Sequence, residues 1–304
     1  MPPRPGAELP RFTTGVLNVD KAAGETSFRV VRQLRHLTGA RRVGHAGTLD
    51  PLATGVLPIL FESATRLAEF ALRLEKTYVA DIHLGFETAT DDAEGEREPV
   101  ADPSSVIEAD LAKALEAFAG RILQQPPAFS AVKVNGRRAY ELARRGEEPK
   151  PRAREVEVYD VRLLSFIPGP QAVAQVEIRC GSGTYLRSIA RDLGRKLGVG
   201  GYLGRLVRTA YGPLVVAAAA KVESLATVDD VRARLLPAEV ILPAMERVRL
   251  NLEQEAMVRQ GRSVRVLPEP GPGPLRAHDA EGRLIALGHA DPLRRTFVPE
   301  KVLS

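Results

Sequence analysis

The sequence predicts an α+β protein in two parts, and three observations predict it. Segments with two-residue apolar alternation stand among segments with helical spacing, in irregular order rather than as a regular strand–helix repeat. A glycine- and proline-rich stretch at 44–58 has neither period and must be a loop. Beyond about residue 248 the pattern changes to one short helix followed by short strand-like runs.

The elements follow in chain order. Residues 1–12 are rich in proline and polar groups and are expected to form a disordered tail. GVLNVDK at 15–21 reads as a strand entering a glycine turn. Thr26 or Ser27 can cap the next helix, whose apolar face is Val30, Val31, Leu34 and Leu37 and which Gly39 ends. TYVADIHLG at 77–85 alternates Tyr78, Ala80, Ile82 and Leu84 against Val79, Asp81 and His83, the pattern of a half-buried strand. Asp110 to Phe118 reads as an amphipathic helix closed by Gly120, and AVAQVEIRC at 172–180 as another alternating strand. A helix from about Tyr185 carries Leu186, Ile189, Ala190, Leu193 and Leu197 at helical spacing, with Gly198 past its end. A catalytic part is expected over 13–247 and a second part over 248–304. The second holds a helix at Glu253–Gln260, the runs SVRVL, LRAHD and RLIALGHA, and a loop at 269–274.

Composition narrows the function classes. The chain has 304 residues, 44% of them hydrophobic, enough to bury a sizeable core. The one cysteine, Cys180, excludes an internal disulfide and fits a reducing, cytoplasmic setting. No apolar run is long enough for a membrane helix, and the N-terminus lacks the apolar region of a signal peptide. The five histidines are scattered, and neither metal-ligand spacing nor a phosphate-binding glycine loop appears, so no metal and no cofactor is expected.

Charge points to an anionic partner. The net charge is +5. Between 133 and 154 eight bases, among them Lys133, Arg137, Arg138, Arg144 and Arg145, face three acids. Between 87 and 110 nine acids face Arg97 alone. A polyanion would be drawn to the first segment and repelled by the second. Gly136, Gly146, Pro149 and Pro151 suggest that the basic segment is mobile.

The loop GHAGTLDPLATGVLP at 44–58 packs His45 and one acid, Asp50, among glycines and prolines. Read locally, Asp50 before Pro51 is a turn residue that caps its own backbone. A stiff loop is also a sensible mount for a catalytic carboxylate.

The surrounding motifs decide between these readings. DKAAGETS at 20–27, the 44–58 loop, EKTYVADIHLG at 75–85, QPPAFSAVKVNGRRAYELAR at 125–144 and GSGTYLRSIARDLGRKLG at 181–198 occur in order. Together they resemble the TruB-type tRNA pseudouridine-55 synthases, over about residues 15–210. Ala22, Phe129 and Val207 depart from the family's usual proline, tyrosine and arginine. The Phe129 change removes a hydroxyl.

The resemblance implies a pseudouridine synthase fold, with a mixed, mainly antiparallel sheet flanked by helices. It implies a small β-rich, PUA-like pseudo-barrel at 248–304. It implies isomerisation of a T-loop uridine of tRNA, at position 55, by an enzyme that flips the base out of its stack. Asp50 is then the nucleophile, with either C1′ of the sugar or the base as its target. Arg187 is its charge partner. Tyr78 is the platform for the uracil and handles the C5 proton; locally it would be a core aromatic. His45 holds the opened loop of the RNA. Tyr185 and Leu206 line the uracil pocket, and Lys21 supports the catalytic loop. Lys133, Arg137, Arg138, Arg144 and Arg145 would neutralise tRNA phosphates on an element that orders with RNA. The acceptor end of tRNA is a candidate contact for the C-terminal part, and a monomer is expected. A guide-RNA-dependent synthase, an RNA-folding chaperone on the same scaffold and, remotely, a carbohydrate hydrolase are the competing classes. The last would want two carboxylates across one bond.

Overall fold

The computed structural model describes residues 12–267, 271 and 273–303. Residues 1–11, most of the expected tail, lie outside the described residues, as do parts of the 269–274 loop. Phe12 does not belong to a tail. It is buried, with its ring 4.8 Å from that of Phe61.

The larger part is built on one mixed sheet. Its main elements are β1 (Gly15–Lys21), α1 (Ser27–Thr38), β2 (Val43–His45), β3 (Thr54–Phe61), β4 (Lys76–Leu84), α2 (Glu108–Glu116), β5 (Gly120–Gln124), β6 (Arg154–Ile167), β7 (Val173–Cys180), α3 (Leu186–Lys196) and β8 (Gly201–Tyr211). From one edge the order is the short strand Ala220–Lys221, then β1, β3, β8, β4, β7, β6 and β5. All neighbours along this path are antiparallel except β1 with Ala220–Lys221 and β3 with β8. The expected α+β class and mainly antiparallel sheet are therefore present. β3 is covered on both faces and reads as a continuous apolar run, whereas β4 and β7 keep the alternation of half-covered strands.

Helix ends follow their side chains. Thr26 is the residue that caps α1, its hydroxyl accepting from the Arg29 amide at 3.1 Å, and Gly39 ends it at φ 64°. Ser27, the other candidate, is buried and points elsewhere: its hydroxyl lies 3.0 Å from the Leu49 amide and 3.2 Å from the Leu49 carbonyl. The helix expected from Asp110 starts two residues earlier, at Glu108, and stops at Glu116.

The smaller part is a five-stranded sheet. With β9 (Glu246–Arg249), α4 (Leu252–Arg259), β10 (Val264–Arg265), β11 (Pro274–His278), β12 (Leu284–Asp291) and β13 (Thr296–Val302), its order is β9-β11-β12-β13-β10. This sheet begins at Glu246, two residues before the expected division, because β9 pairs in parallel with β11. Leu287 and Leu303 pack on Ile241, Leu242 and Leu60 of the larger part, so apolar burial joins the two. His278, fully buried, pairs with Glu239 across the same contact.

Candidate active site

The loop between β2 and β3 is held from below by its own neighbours in sequence and by the first motif. Gly24 donates its amide to the Pro51 carbonyl at 2.8 Å, and the Ala53 amide donates to the Asp50 carbonyl at 3.1 Å. Lys21 is fully buried, and its ammonium donates to the carbonyls of Ala22, Glu25 and Pro51 at 2.9, 2.7 and 3.2 Å. Burial pushes its pKa down to about 8, against the opposing pull of Glu25 and Asp50. Lys21 therefore carries the loop; among the residues expected at the substrate it is one that does not line the cavity.

Two glycines make the loop possible. Gly47 sits at φ 67°, and a Cβ there would lie 2.7 Å from the Tyr211 ring. Gly55 sits at φ 97°, with the Arg208 carbonyl 2.2 Å from where a Cβ would be. A side chain at Gly47 would have to displace the Tyr211 ring, and one at Gly55 the backbone of β8.

The Asp50 side chain does not cap its own turn. It crosses to α3, where its Oδ2 lies 3.0 Å from Nη2 of Arg187. Asp50 is also less enclosed than a buried catalytic acid: its side chain is 40% exposed to the cavity, while that of Arg187 is 8% exposed. The guanidinium is shared out further. Nη1 lies 3.4 Å from Asp92 Oδ2 and donates to the Thr90 carbonyl at 3.2 Å, and Nη2 donates to the Phe129 carbonyl at 3.2 Å. A planar donor fork with this many fixed acceptors has one orientation, so it fixes Asp50 as well.

The start of α3 is fixed from another strand. The Gln124 side chain, buried at the end of β5, donates to the Tyr185 carbonyl at 3.0 Å and accepts from the Tyr185 amide at 2.8 Å. Arg187, Arg191 and Arg195 then recur every four residues along one helix face. They meet Asp92, Asp91 and Glu87 at 3.4, 2.8 and 2.8 Å. The acidic stretch is thus corrected in part. Three of its nine acids are bound to α3 and do not face a polyanion.

A cavity of about 560 Å³ opens over Asp50. Tyr78, Leu206, Tyr185 and Arg187 line it with Asp50, so five of the expected residues come together although they span residues 50 to 206. Tyr78 lies in β4 beside Arg208 of β8, and Leu206 lies beside Ala80. Burial raises the pKa of the Tyr78 phenol, partly offset by Arg208, so it is a neutral hydroxyl at ordinary pH. His45 ends β2, half-buried, and does not line the cavity. Burial, and then Arg208, hold its pKa below the usual range, so its ring is neutral.

The basic segment adjoins the cavity, to which it gives Tyr140 and Arg154. Lys133–Val134 and Arg137–Arg138 pair as a small hairpin, and Ala139–Ala143 makes a turn of helix. Phe129, Ser130, Ala131 and Tyr140 turn into the cavity. Lys133, Arg137, Arg138, Arg144 and Arg145 are exposed, and among the described residues none has a carboxylate at ion-pair distance. The residues that the sequence reading gave no place at the site are Asp92, Lys76 and Arg208, while Arg154, counted there only among the bases of the charged segment, lines the cavity and donates to the Gly183 carbonyl at 2.5 Å. Asp92 was one acid in a charged run, and nothing in its spacing pairs it with a helix 95 residues away.

A carboxylate gripped by arginine in a cavity lined by a tyrosine and a leucine, with a segment of exposed cations nearby in the chain, suits an enzyme that acts on a polyanion. Comparison with known proteins makes the class specific. Residues 35–186 match the family model described as TruB family pseudouridylate synthase, N-terminal domain. The tRNA pseudouridine synthase B of Synechococcus elongatus is 44% identical over 277 residues, covering 90% of this chain and 93% of that protein. The enzyme of the same name from Symbiobacterium thermophilum is 47% identical, over 81% of this chain and 82% of that protein. Among solved structures, a chain of a Cbf5–Nop10–Gar1 complex superposes with a TM-score of 0.71 at 27% identity, covering 95% of this chain and 85% of the other. The chain belongs to the TruB family of pseudouridylate synthases, enzymes that convert uridine to pseudouridine.

Proposed function

We propose that this chain isomerises uridine 55 in the T-loop of tRNA, with Asp50 as nucleophile, and that it works alone in the cytoplasm as a monomer. The observation that carries the reading is the 3.0 Å pair of Arg187 with Asp50 at the floor of a cavity that also holds Tyr78 and Leu206. The isomerisation breaks the bond from C1′ to N1, turns the base, and joins C1′ to C5, with a proton lost from C5 and one gained at N1. A carboxylate adduct divides this into easier steps. Arg187 keeps Asp50 ionised and aimed, since an opposite charge in contact favours the carboxylate. The target base is flipped out to reach the cavity. There Tyr78 packs on it and takes part in moving the C5 proton, while Leu206 and Tyr185 form apolar walls. His45, neutral and next to the loop, holds the RNA where the base has left the stack. The isomerisation balances without metal or cofactor.

The unpaired cations from Lys133 to Arg145 bind phosphates, and the segment orders further on RNA. The five-stranded C-terminal sheet is read as a PUA-like RNA-binding unit that meets the acceptor end. A guide-dependent synthase is the competing reading, since the Cbf5 chain shares the fold. The standalone reading is preferred because identity is 44–47% to the tRNA enzymes against 27% to that chain.

The test incubates unmodified tRNA with wild type and with Asp50→Asn and maps pseudouridine by carbodiimide-primed reverse transcription. The expected result is modification of the T-loop by wild type alone. T-loop modification by the variant overturns the role of Asp50, and modification elsewhere by wild type overturns the substrate.

A further inference from the structure

Arg208 is among the largest fully buried side chains of the protein, at 1% exposure, and the roles assigned above do not use it. Its position in β8 sets it between the two halves of the site. Its neighbour on β3 is Gly55, which closes the catalytic loop, and its neighbour on β4 is Tyr78. Its guanidinium donates from Nη2 to the Gly47 carbonyl at 2.9 Å, at the start of that loop, and from Nε to the Val56 carbonyl at 2.6 Å, just past its end. One side chain thus bonds both ends of the loop that carries Asp50.

The guanidinium also belongs to a column of alternating cations and rings. Lys76 Nζ lies 4.8 Å from the Tyr211 ring centroid, Arg208 Cζ lies 4.9 Å from the same centroid, and Arg208 Cζ lies 6.0 Å from that of Tyr78. Among the described residues no carboxylate stands at ion-pair distance from Arg208. A buried cation without a carboxylate is costly, and an apolar side chain of similar volume would suit a merely structural position better. The column lies under a cavity where charge must be managed, which gives the cation a use.

We propose that Arg208 is a positioning residue of the isomerisation: it holds the two ends of the Asp50 loop and presents its fixed charge to the phenol of Tyr78. The proposal rests on the reading of Tyr78 given above. The charge favours a phenol oxygen that takes up the C5 proton as its own proton passes to water in the cavity, and the two carbonyl bonds keep that hydroxyl and Asp50 in one register. The electrostatic influence of Arg208 on Tyr78 opposes that of burial, as this role requires.

The test is a double-mutant cycle on single-turnover rate with full-length tRNA. Arg208→Met is made in the wild-type and Tyr78→Phe backgrounds, and tRNA affinity is measured beside the rate. The expected result is a loss of roughly a hundredfold in rate in the first background and one about tenfold smaller in the second, where only the support of the loop is lost, with affinity unchanged. The limb of the rate–pH profile that Tyr78→Phe abolishes should move to higher pH in Arg208→Met, a shift that loosened packing alone does not produce. Equal losses in both backgrounds overturn the role of Arg208. A wild-type rate in Tyr78→Phe itself overturns the reading of Tyr78, and the two failures are distinct. Where Arg208→Met does not fold, Arg208→Lys in the same two backgrounds carries the test. The lysine keeps the charge and loses the fork, so its loss of rate should be similar with and without the Tyr78 hydroxyl, and the alkaline limb should stay where it is in wild type; a loss confined to the wild-type background overturns the division of roles.

Discussion

Arg187 stands 3.4 Å from Asp92, and this contact explains how an arginine that serves Asp50 stays in place when the cavity is empty. Asp92 is 3% exposed in its side chain and is itself held, accepting from the Thr90 hydroxyl at 2.6 Å and the Glu94 amide at 3.0 Å. The guanidinium is pinned from behind by a fixed carboxylate and offers its remaining edge to Asp50.

Removing Arg187 therefore does more than free Asp50. Arg187→Met leaves the buried Asp92 uncompensated and should cost about 3–5 kcal/mol of stability. Asp92→Asn in the same chain should recover most of it. Urea unfolding of the single and double variants measures both, and a double variant no more stable than Arg187→Met would refute the account.

Asp50→Asn should behave in the opposite way. Its side chain is open to the cavity, so stability should change by no more than about 0.5 kcal/mol. Turnover should fall by at least about a thousandfold, as expected for loss of a nucleophile. A thermal melt and a pseudouridine assay on one preparation check the pair of results.

Arg144→Ala and Arg145→Ala should weaken tRNA binding with little effect on single-turnover rate at saturating enzyme. Each unpaired charge that meets a phosphate should reduce the slope of log affinity against log salt by about one unit. Filter binding at several salt concentrations reads the slope, and unchanged slopes would remove these residues from the RNA surface.

Lys21 and Lys76 give a pH dependence with a definite sign. Burial lowers each to about 8, against 10.5 for a free lysine. Between these values the unfolded chain binds a proton that the folded chain does not, so stability rises with pH. Below pH 8 both states are protonated and the full cost of the buried charge is present. Lys76→Met should flatten the rise in urea midpoint between pH 8 and 10, and an unaltered slope would show that the ammonium is not desolvated.

Cys180 is buried, and its thiol is pushed up to about 11. In the native protein it should resist a thiol reagent such as iodoacetamide at pH 8, and react at once in urea. Mass spectrometry of the alkylated chain checks this.

Much of the fold was legible before any coordinates, because its elements announce themselves locally. The alternation in TYVADIHLG and AVAQVEIRC depends only on one covered face, and the stop at Gly39 depends only on a left-handed residue. The strand at Glu246–Arg249 was not legible as an element, since β9 has no period of its own and exists through its pairing with β11. The acidic run was read as a single repulsive surface because charge along a chain carries no information about which acids turn inward. The chemistry of Asp50 was not legible from its loop at all. Local physics favoured a turn residue, and the ordered family motifs reversed that.

By itself the sequence determined the α+β class and the glycine-rich loop at 44–58, and its ordered family motifs named the candidate residues for an isomerisation: one carboxylate, a tyrosine, an arginine and a cationic segment. Only the tertiary structure decided that Asp92 stands behind Arg187, that Lys21 serves the loop from below, and that Arg208 ties the loop to Tyr78. The reason is physical. Helix and strand periods, caps and turns are properties of neighbouring residues. An ion pair between residues 92 and 187 or a register between β3, β8 and β4 exists only when a sheet brings distant segments within a few ångströms.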